Sequence, residues 1–192
     1  HSSAASDVYK RQQERILAAA RNVLVKEGLD HLVMRDIATI CGMKLGNLQY
    51  YFKSREDLLL AVIQRESQRD LDAIGAIVDL GEAPETNLRK AIGCLLTRWI
   101  KEDGAAIYAT LSVMQLHQAG FRALYNEIYS NHYASIENLI LQNQPALKPA
   151  ERRIRVQLLT ALIDGALLQL AAGSDPKFLQ RVQEQAIAIA LA

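Results

Sequence analysis

The sequence has 192 residues, of which 50% are hydrophobic and 6% aromatic, and 22 Lys and Arg against 21 Asp and Glu give a net charge of +1. This composition excludes collagen-like, low-complexity and disordered chains, which need more Gly and Pro or fewer apolar residues. Two cysteines are too few for a disulfide scaffold and indicate a reducing compartment, so we expect a cytoplasmic protein. No apolar run approaches the ~18 residues of a membrane span, and no membrane association is expected.

Charge is distributed unevenly along the chain, which predicts three parts. Residues 1–7 start without an initiator Met and are expected to be a disordered end or the remnant of an expression tag. Residues 8–55 carry nine Lys or Arg and four acids, whereas residues 56–192 carry 13 bases and 16 acids. The net charge of the whole chain is near zero, which taken alone argues against nucleic-acid binding. Because the basic charge is concentrated in residues 8–55, this part could still bind nucleic acid.

Helical periodicity dominates the sequence, strand-like alternation is nearly absent, and the predicted fold class is all-α. Ser54, followed by two acids, predicts an N-cap, and Gly28, Gly42, Gly81 and Pro84 mark breaks. In chain order the pattern predicts roughly nine helices, over residues 10–27, 34–41, 45–51, 55–80, 84–101, 105–117, 120–143, 150–172 and 176–190. A turn is predicted at residues 173–176.

Residues 34–52 have the arrangement of a helix-turn-helix, with two short predicted helices separated by Gly42. Ala38 is a small residue at the position where the two helices would come close together. Leu48 is an apolar residue at the position where the second helix would pack against the core of the domain. The exposed side of that helix carries Lys44, Asn47, Gln49, Tyr50 and Tyr51. Asn and Gln can bond to adenine in the major groove, and Lys and Tyr suit phosphates. The alternative is an ordinary helical hairpin with a solvated polar face.

Four segments carry further motifs: Lys26-Glu27-Gly28, the run from Arg35 to Ala38, the run from Gly46 to Phe52, and the run from Arg55 to Leu59. In this register, residues 10–62 resemble the DNA-binding domain of the TetR family of transcriptional regulators. The resemblance implies an N-terminal three-helix helix-turn-helix domain, assigned to residues 8–55. A helical-bundle domain for effector binding and dimerisation is then expected over residues 56–192.

Three departures from the family pattern affect the expected base preference. Gln49 replaces the usual Tyr, Lys44-Leu45 replaces a common Ser-Lys pair, and Val33 and Met34 stand where Thr or Ser often caps the second helix. The docking mode implied by the resemblance survives these changes, but the base preference of other members does not carry over.

The resemblance implies that residues 44–51 lie in the major groove of double-stranded operator DNA. Asn47 and Gln49 are expected at base edges, Arg35 at a base or phosphate, and Leu45 at a thymine methyl. Phosphate contacts are expected from Lys44, Tyr50, Tyr51, Lys53 and Arg55. The N-terminus of the helix that begins near Ser54 is expected to help to bind phosphate. The predicted DNA-binding residues are Arg35, Lys44, Leu45, Asn47, Gln49, Tyr50, Tyr51, Lys53 and Arg55.

The last two predicted helices suit a self-complementary homodimer interface, because small residues among large aliphatic ones allow close helix approach. A dimer is favoured since such proteins usually read two half-sites. Filling of an intramolecular core is the alternative. The predicted interface residues are Leu158, Ala161, Leu162, Gly165, Leu168, Val182 and Ala186.

Large rings gather in the central helices, where they would suit either a small-molecule pocket or a packed core. We expect a small hydrophobic or aromatic effector there, which shifts the spacing of two DNA-binding domains. The predicted effector pocket comprises Trp99, Tyr108, Met114, His117, Phe121 and Tyr125.

Catalytic and metal-binding motifs are absent from the sequence: it has no Gly-rich phosphate loop, no His-Glu-x-x-His and no Gly-x-Ser-x-Gly. No enzymatic activity, metal or cofactor is therefore expected. The predicted function is a ligand-responsive DNA-binding regulator, a repressor released from a palindromic operator by its effector. The alternative is a DNA-binding regulator controlled by a protein partner with no small-molecule ligand. An apolar pocket of a few hundred Å³ would favour the first and a filled body the second.

Overall fold

The computed structural model describes residues 2–101, 103–170 and 176–192. In these ranges the chain forms nine α-helices and no strand, so the prediction of an all-α protein is confirmed. The helices are α1 Ser2–Lys26, α2 Met34–Ile40, α3 Leu45–Tyr51, α4 Arg55–Asp79, α5 Pro84–Lys101, α6 Gly104–Met114, α7 Ala119–Asn143, α8 Pro149–Leu170 and α9 Pro176–Leu191. No helix in the described part of the chain is long and apolar enough to cross a membrane.

The structure differs from the predicted elements at three places. Helix α1 includes residues 2–7, for which a disordered end was predicted, and the Arg11 side chain donates to the Asp7 carbonyl at 3.2 Å. One turn of 3₁₀ helix over Leu29–His31 was not predicted. Helix α6 ends at Met114, three residues early, and residues 115–117 form a turn. The predicted turn at residues 173–175 lies outside the described residues.

The chain divides into two compact units, residues 1–66 and 67–192. The division falls inside α4, whereas the sequence placed it at residue 55. Unit 1 has its own core, in which apolar residues of α1 to α4 are fully buried, among them Ile16, Ile37, Leu48 and Leu58. Their three- and four-residue spacing along each helix places them on one face.

Unit 2 is a helical bundle around the apolar face of α5. Leu88, Ile92 and Leu96 of this helix are at most 1% exposed. Helix α5 contacts α6, α7, α8 and α9. The most extensive contact between two helices is that of α8 with α9. The bundle therefore positions α6, α7 and α8 side by side, and a cleft lies between these three helices.

Candidate functional site

The turn between α2 and α3 sets the orientation of the second helix of the helix-turn-helix. Gly42 adopts a φ of 62°, a left-handed conformation that L side chains rarely take, and the Met43 amide then donates to the Ala38 carbonyl at 3.0 Å. Helix α2 starts after Val33 with no side-chain cap, in keeping with the apolar residues at that position. The fully buried Leu48 holds α3 against the core.

One face of α3 and its flanks is left to solvent. Arg35, Lys44, Asn47, Gln49 and Lys53 are exposed, so the structure brings these predicted DNA-binding residues to the surface of unit 1. Within the described residues, Asn47 and Gln49 make no side-chain hydrogen bond, which leaves both amides available to a base edge. Leu45 and Tyr51 are half-buried, and Tyr50 is 75% exposed.

An aromatic cluster that the sequence reading missed supports the end of α3. Tyr9 of α1 stacks on Tyr51 with ring centroids 4.9 Å apart, and meets Tyr50 edge-on at 6.1 Å. Tyr50 and Tyr51 also meet edge-on, at 5.5 Å. The cluster fixes the direction of both α3 rings, and nothing in the local pattern pairs Tyr9 with residues more than 40 positions away.

Arg55, which was predicted to contact a phosphate, makes its hydrogen bonds within unit 1. Its guanidinium donates to the carbonyl of Leu32 at 2.9 Å and also to the carbonyl of Leu29. These bonds satisfy the carbonyls of the 3₁₀ turn, so Arg55 ties that turn to the start of α4. The side chain is therefore occupied within unit 1.

The predicted cap at the start of α4 is a reciprocal pair. The Asp57 amide donates to Ser54 Oγ at 3.0 Å, and the Ser54 amide donates to the Asp57 carboxylate at 3.1 Å. This capping box satisfies end groups that a helix otherwise leaves open. It also places a carboxylate at the helix N-terminus, which weakens the expectation that this terminus helps to bind phosphate.

Helix α8 exposes an apolar stripe, which we define as Ile154, Leu158, Ala161, Gly165 and Leu168. Its members recur at steps of four and three, and Ile154, Leu158 and Leu168 are 49%, 56% and 66% exposed. Leu162 beside the stripe is half-buried. In contrast, Val182 and Ala186 of α9 were predicted at the interface but are 3% and 0% exposed, because α9 turns this face into the core.

The six residues predicted for the effector pocket do not form one cavity. Trp99 and Phe121 are buried in the core, Met114 and Tyr125 are half-buried, and His117 is exposed. Tyr108 alone of the six lines a cleft of about 230 Å³ between α6, α7 and α8. The other polar residues of this lining are Ser112, Tyr129 and Asp164, and the rest are small or aliphatic.

Asp70 of α4 is a fully buried carboxylate at the centre of a hydrogen-bond network. Arg98 Nε and Trp99 Nε1 each donate to it at 2.6 Å, and the Tyr108 hydroxyl donates at 2.7 Å. Burial of a charge is tolerated when it is paired and hydrogen-bonded, as Asp70 is. Tyr108 thus joins the cleft to α4.

Asp164 of α8 is the acid of the cleft. Its Oδ2 accepts a hydrogen bond from the Tyr129 hydroxyl at 2.8 Å. Burial raises the pKa of the Asp164 carboxyl from 3.8 to about 6, and burial together with the nearby carboxylate raises the pKa of Tyr129. Asp164 was not among the residues predicted for the effector pocket.

Residues 16–62 match the sequence model of the bacterial regulatory proteins of the tetR family. An uncharacterized HTH-type transcriptional regulator from Xanthobacter autotrophicus, in the dhlA 5' region, is 50% identical over 58 residues, which are 30% of this chain and 29% of that protein. The HTH-type transcriptional regulator PksA of Bacillus subtilis is 24% identical over 172 residues, 88% of this chain and 82% of that protein.

The fold of the whole chain also has solved relatives. A transcriptional regulator from Saccharomonospora viridis, crystallised in complex with choline, superposes with a TM-score of 0.80 at 22% identity, over 92% of this chain and 94% of that one. Residues 16–62 thus form a DNA-binding domain of known type, joined to a helical body that similar regulators share. This domain is of the type found in the bacterial regulatory proteins of the tetR family.

Proposed function

We propose that the protein is a ligand-responsive repressor that leaves a palindromic operator when a small molecule occupies the cleft of unit 2. The observation that carries the proposal is the double role of Tyr108, which lines the cleft and donates its hydroxyl proton to Asp70 of α4. A ligand that displaces Tyr108 must strain or break this bond. Asp70 lies on α4, which is the helix that follows the DNA-binding motif in the chain.

On DNA, we assign base reading to Asn47 and Gln49 and phosphate binding to Lys44, Lys53 and the Tyr50 hydroxyl. All five side chains are exposed. Arg35, exposed near the start of α2, is assigned to a base or phosphate at the edge of the same face. The half-buried Leu45 and Tyr51 border this face, so the predicted thymine-methyl and phosphate contacts remain proposals for them.

We propose that the protein acts as a homodimer through the α8 stripe. Large aliphatic side chains that stay about half exposed or more over four helical turns are typical of an interface, and the small Ala161 and Gly165 allow close approach. Steps of four and three match the seam of two packed helices. Two copies would present two reading helices, as a palindromic operator requires.

The lining of the cleft favours a small-molecule effector over control by a protein partner alone. The cleft of about 230 Å³ is mostly apolar with a few polar groups, which is the kind of lining that small-molecule sites have, although its volume is smaller than that of sites for drug-sized ligands. The choline complex of the Saccharomonospora viridis regulator supports the idea that a fold of this kind can hold a small organic molecule.

Selection of bound duplexes from a random pool tests the DNA-binding part of the proposal. We expect inverted half-sites whose centres are separated by about one helical turn, 10–10.5 base pairs, or a multiple of it. Enrichment of a single, unpaired half-site would contradict the dimer.

A variant with a filled cleft tests the effector part. A compound library is screened for release of a fluorescent operator duplex, and each active compound is repeated on Ala109→Phe, which fills the cleft, and on Ala134→Phe, at an exposed position of α7. We expect Ala109→Phe alone to lose the response. Release that is equal in both variants would place the effector elsewhere, and a library without active compounds would favour control by a protein partner.

A further inference from the structure

The cleft of unit 2 holds one ionisable acid and no base. Asp164 supplies the carboxylate, while none of the other lining residues is Lys, Arg or His. A carboxylate placed in a mostly apolar cleft loses much of its hydration, and this loss is costly unless a partner replaces it. The described residues give Asp164 one hydrogen-bond donor, the neutral hydroxyl of Tyr129.

Comparison with the two fully buried carboxylates of the described residues shows that the surroundings of the half-buried Asp164 are different. Asp70 is paired with Arg98 at 2.6 Å, and Glu66 is paired with Arg21 at 2.8 Å. Both of these acids are neutralised by a guanidinium, as buried charges generally are. Asp164 is hydrogen-bonded to the phenol of Tyr129 and not to a guanidinium, and Asp164 lines the cleft.

We propose that the cleft binds a compact organic cation, whose ammonium group pairs with Asp164 and whose apolar part fills the space between α6 and α8. The aromatic lining is compatible with this assignment, because tyrosine rings attract cations and both Tyr108 and Tyr129 line the cleft. The volume of about 230 Å³ lies below the range of about 300–1,000 Å³ found for drug-sized ligands, which restricts the ligand to a small molecule. The proposal rests on the effector role of the cleft and adds a positive charge to the small hydrophobic or aromatic effector that the sequence predicted.

The burial of Asp164 is consistent with this role. Its pKa of about 6 leaves the carboxyl ionised at pH 8, so it is available to an ammonium group. An approaching cation also replaces the lost hydration, so binding relieves the unfavourable burial of the carboxylate.

Binding of three probes of similar shape to the full chain, without DNA, tests the inference. The probes are benzylammonium, benzyl alcohol and benzoate, and their affinities are measured by calorimetry at pH 8. We expect benzylammonium to bind about tenfold or more tightly than benzyl alcohol, because its ammonium group forms an ion pair with the carboxylate in addition to the hydrogen bond that the alcohol can also donate. Benzoate should bind most weakly.

Two variants separate the role of Asp164 from a general charge effect. Asp164→Asn keeps an oxygen that can accept from Tyr129, and it should abolish the preference for the cation. Asp72→Asn removes the same charge at an exposed position of α4 and should leave the preference unchanged. Circular dichroism confirms that both variants are folded.

The outcomes distinguish this inference from the proposed function. Equal affinities for cation and alcohol, no binding of benzylammonium, or a preference that survives Asp164→Asn would overturn the cation site. If neutral compounds release the operator through the cleft, the effector role stands without the cation site. If benzylammonium binds with the expected preference while no cleft ligand releases the operator, the cation site stands and the effector role is wrong.

Discussion

Glu66 and Ser67 are consecutive residues of α4, yet their side chains bind within different units of the protein. Glu66 accepts two hydrogen bonds from Arg21 of α1, at 2.8 and 2.9 Å. Ser67 Oγ lies 3.3 Å from Nε2 of the buried His132 of α7, whose pKa is lowered by burial. One helix therefore carries anchoring side chains for both units, and Asp70 follows on the same helix.

Removal of the Tyr108 hydroxyl is expected to weaken both the body and the effector response. Tyr108→Phe takes one donor from the buried Asp70 carboxylate, so we expect the free energy of unfolding to fall by about 1–3 kcal/mol. Urea unfolding measures this loss, and operator release at a series of effector concentrations measures the response. Tyr133→Phe, on the half-buried side of α7, is the matched control. A Tyr108→Phe protein with unchanged stability and response would refute the connection.

Truncation of the base-reading amides is expected to relax sequence preference. Asn47→Ala or Gln49→Ala should cost about 1–3 kcal/mol in binding to the selected operator, because each removes the hydrogen bonds to one base pair. Fluorescence anisotropy on the operator and on a scrambled duplex measures the cost, with Asn126→Ala in the exposed part of α7 as the control. Equal losses on both duplexes would show that the two amides do not read bases directly.

Arg55 and Lys53 are expected to behave differently although both are exposed bases. Arg55→Ala loses the bonds to the carbonyls of Leu29 and Leu32, so unit 1 should lose about 1–3 kcal/mol of stability. Lys53→Ala should leave stability unchanged and reduce the slope of log K against log salt by about 1, as loss of one phosphate contact does. Thermal unfolding and a salt titration of operator binding distinguish them. A reduced salt slope at full stability for Arg55→Ala would restore its predicted phosphate contact.

The α8 stripe predicts a dimer that one charge can break. Leu158→Glu places a carboxylate at the centre of the stripe, and burial of that charge against a second copy would be strongly unfavourable. Light scattering at micromolar concentration should then give a monomer mass, whereas wild type and Gln142→Glu, on the exposed side of α7, should give a dimer mass. A monomeric wild type would exclude the proposed assembly.

Asp164 is expected to destabilise the free protein above pH 6. Its folded pKa of about 6 exceeds its ordinary value of 3.8, so between these pH values the folded state holds a proton that the unfolded chain has lost. The free energy of unfolding therefore falls as the pH rises through this window. Asp164→Asn should be more stable than wild type at pH 7.5 by about 1–3 kcal/mol, and the difference should shrink toward pH 4. Urea unfolding across this range measures it, and a pH-independent difference would contradict the assignment.

Much of the fold follows from local patterns that can be read in the sequence. Helix ends marked by Gly42, Ser54 and Pro84 fall within a residue or two of the predicted positions, because each mark acts through its own backbone conformation or cap. The exposed face of α3 was predicted for the same reason, since the buried Leu48 fixes which side of a short helix faces solvent.

The long-range partners could not be predicted in this way. The bonds of Arg55 to the 3₁₀ turn, of Asp70 to three donors and of Tyr129 to Asp164 join positions 23 to 38 residues apart. Helical periodicity records which face of a helix is apolar but not which helix packs against it. For this reason Val182 and Ala186 were assigned to an interface, although their apolar face packs inside the body.

Gly165 and Leu168 belong to the α8 stripe and also line the cleft. If two protomers pair along that stripe, assembly and effector binding involve the same residues. The two equilibria are then thermodynamically linked, so the apparent effector affinity depends on how much protein is present. A cell could thus tune its sensitivity to the effector by changing the abundance of the regulator, with no change in the protein sequence.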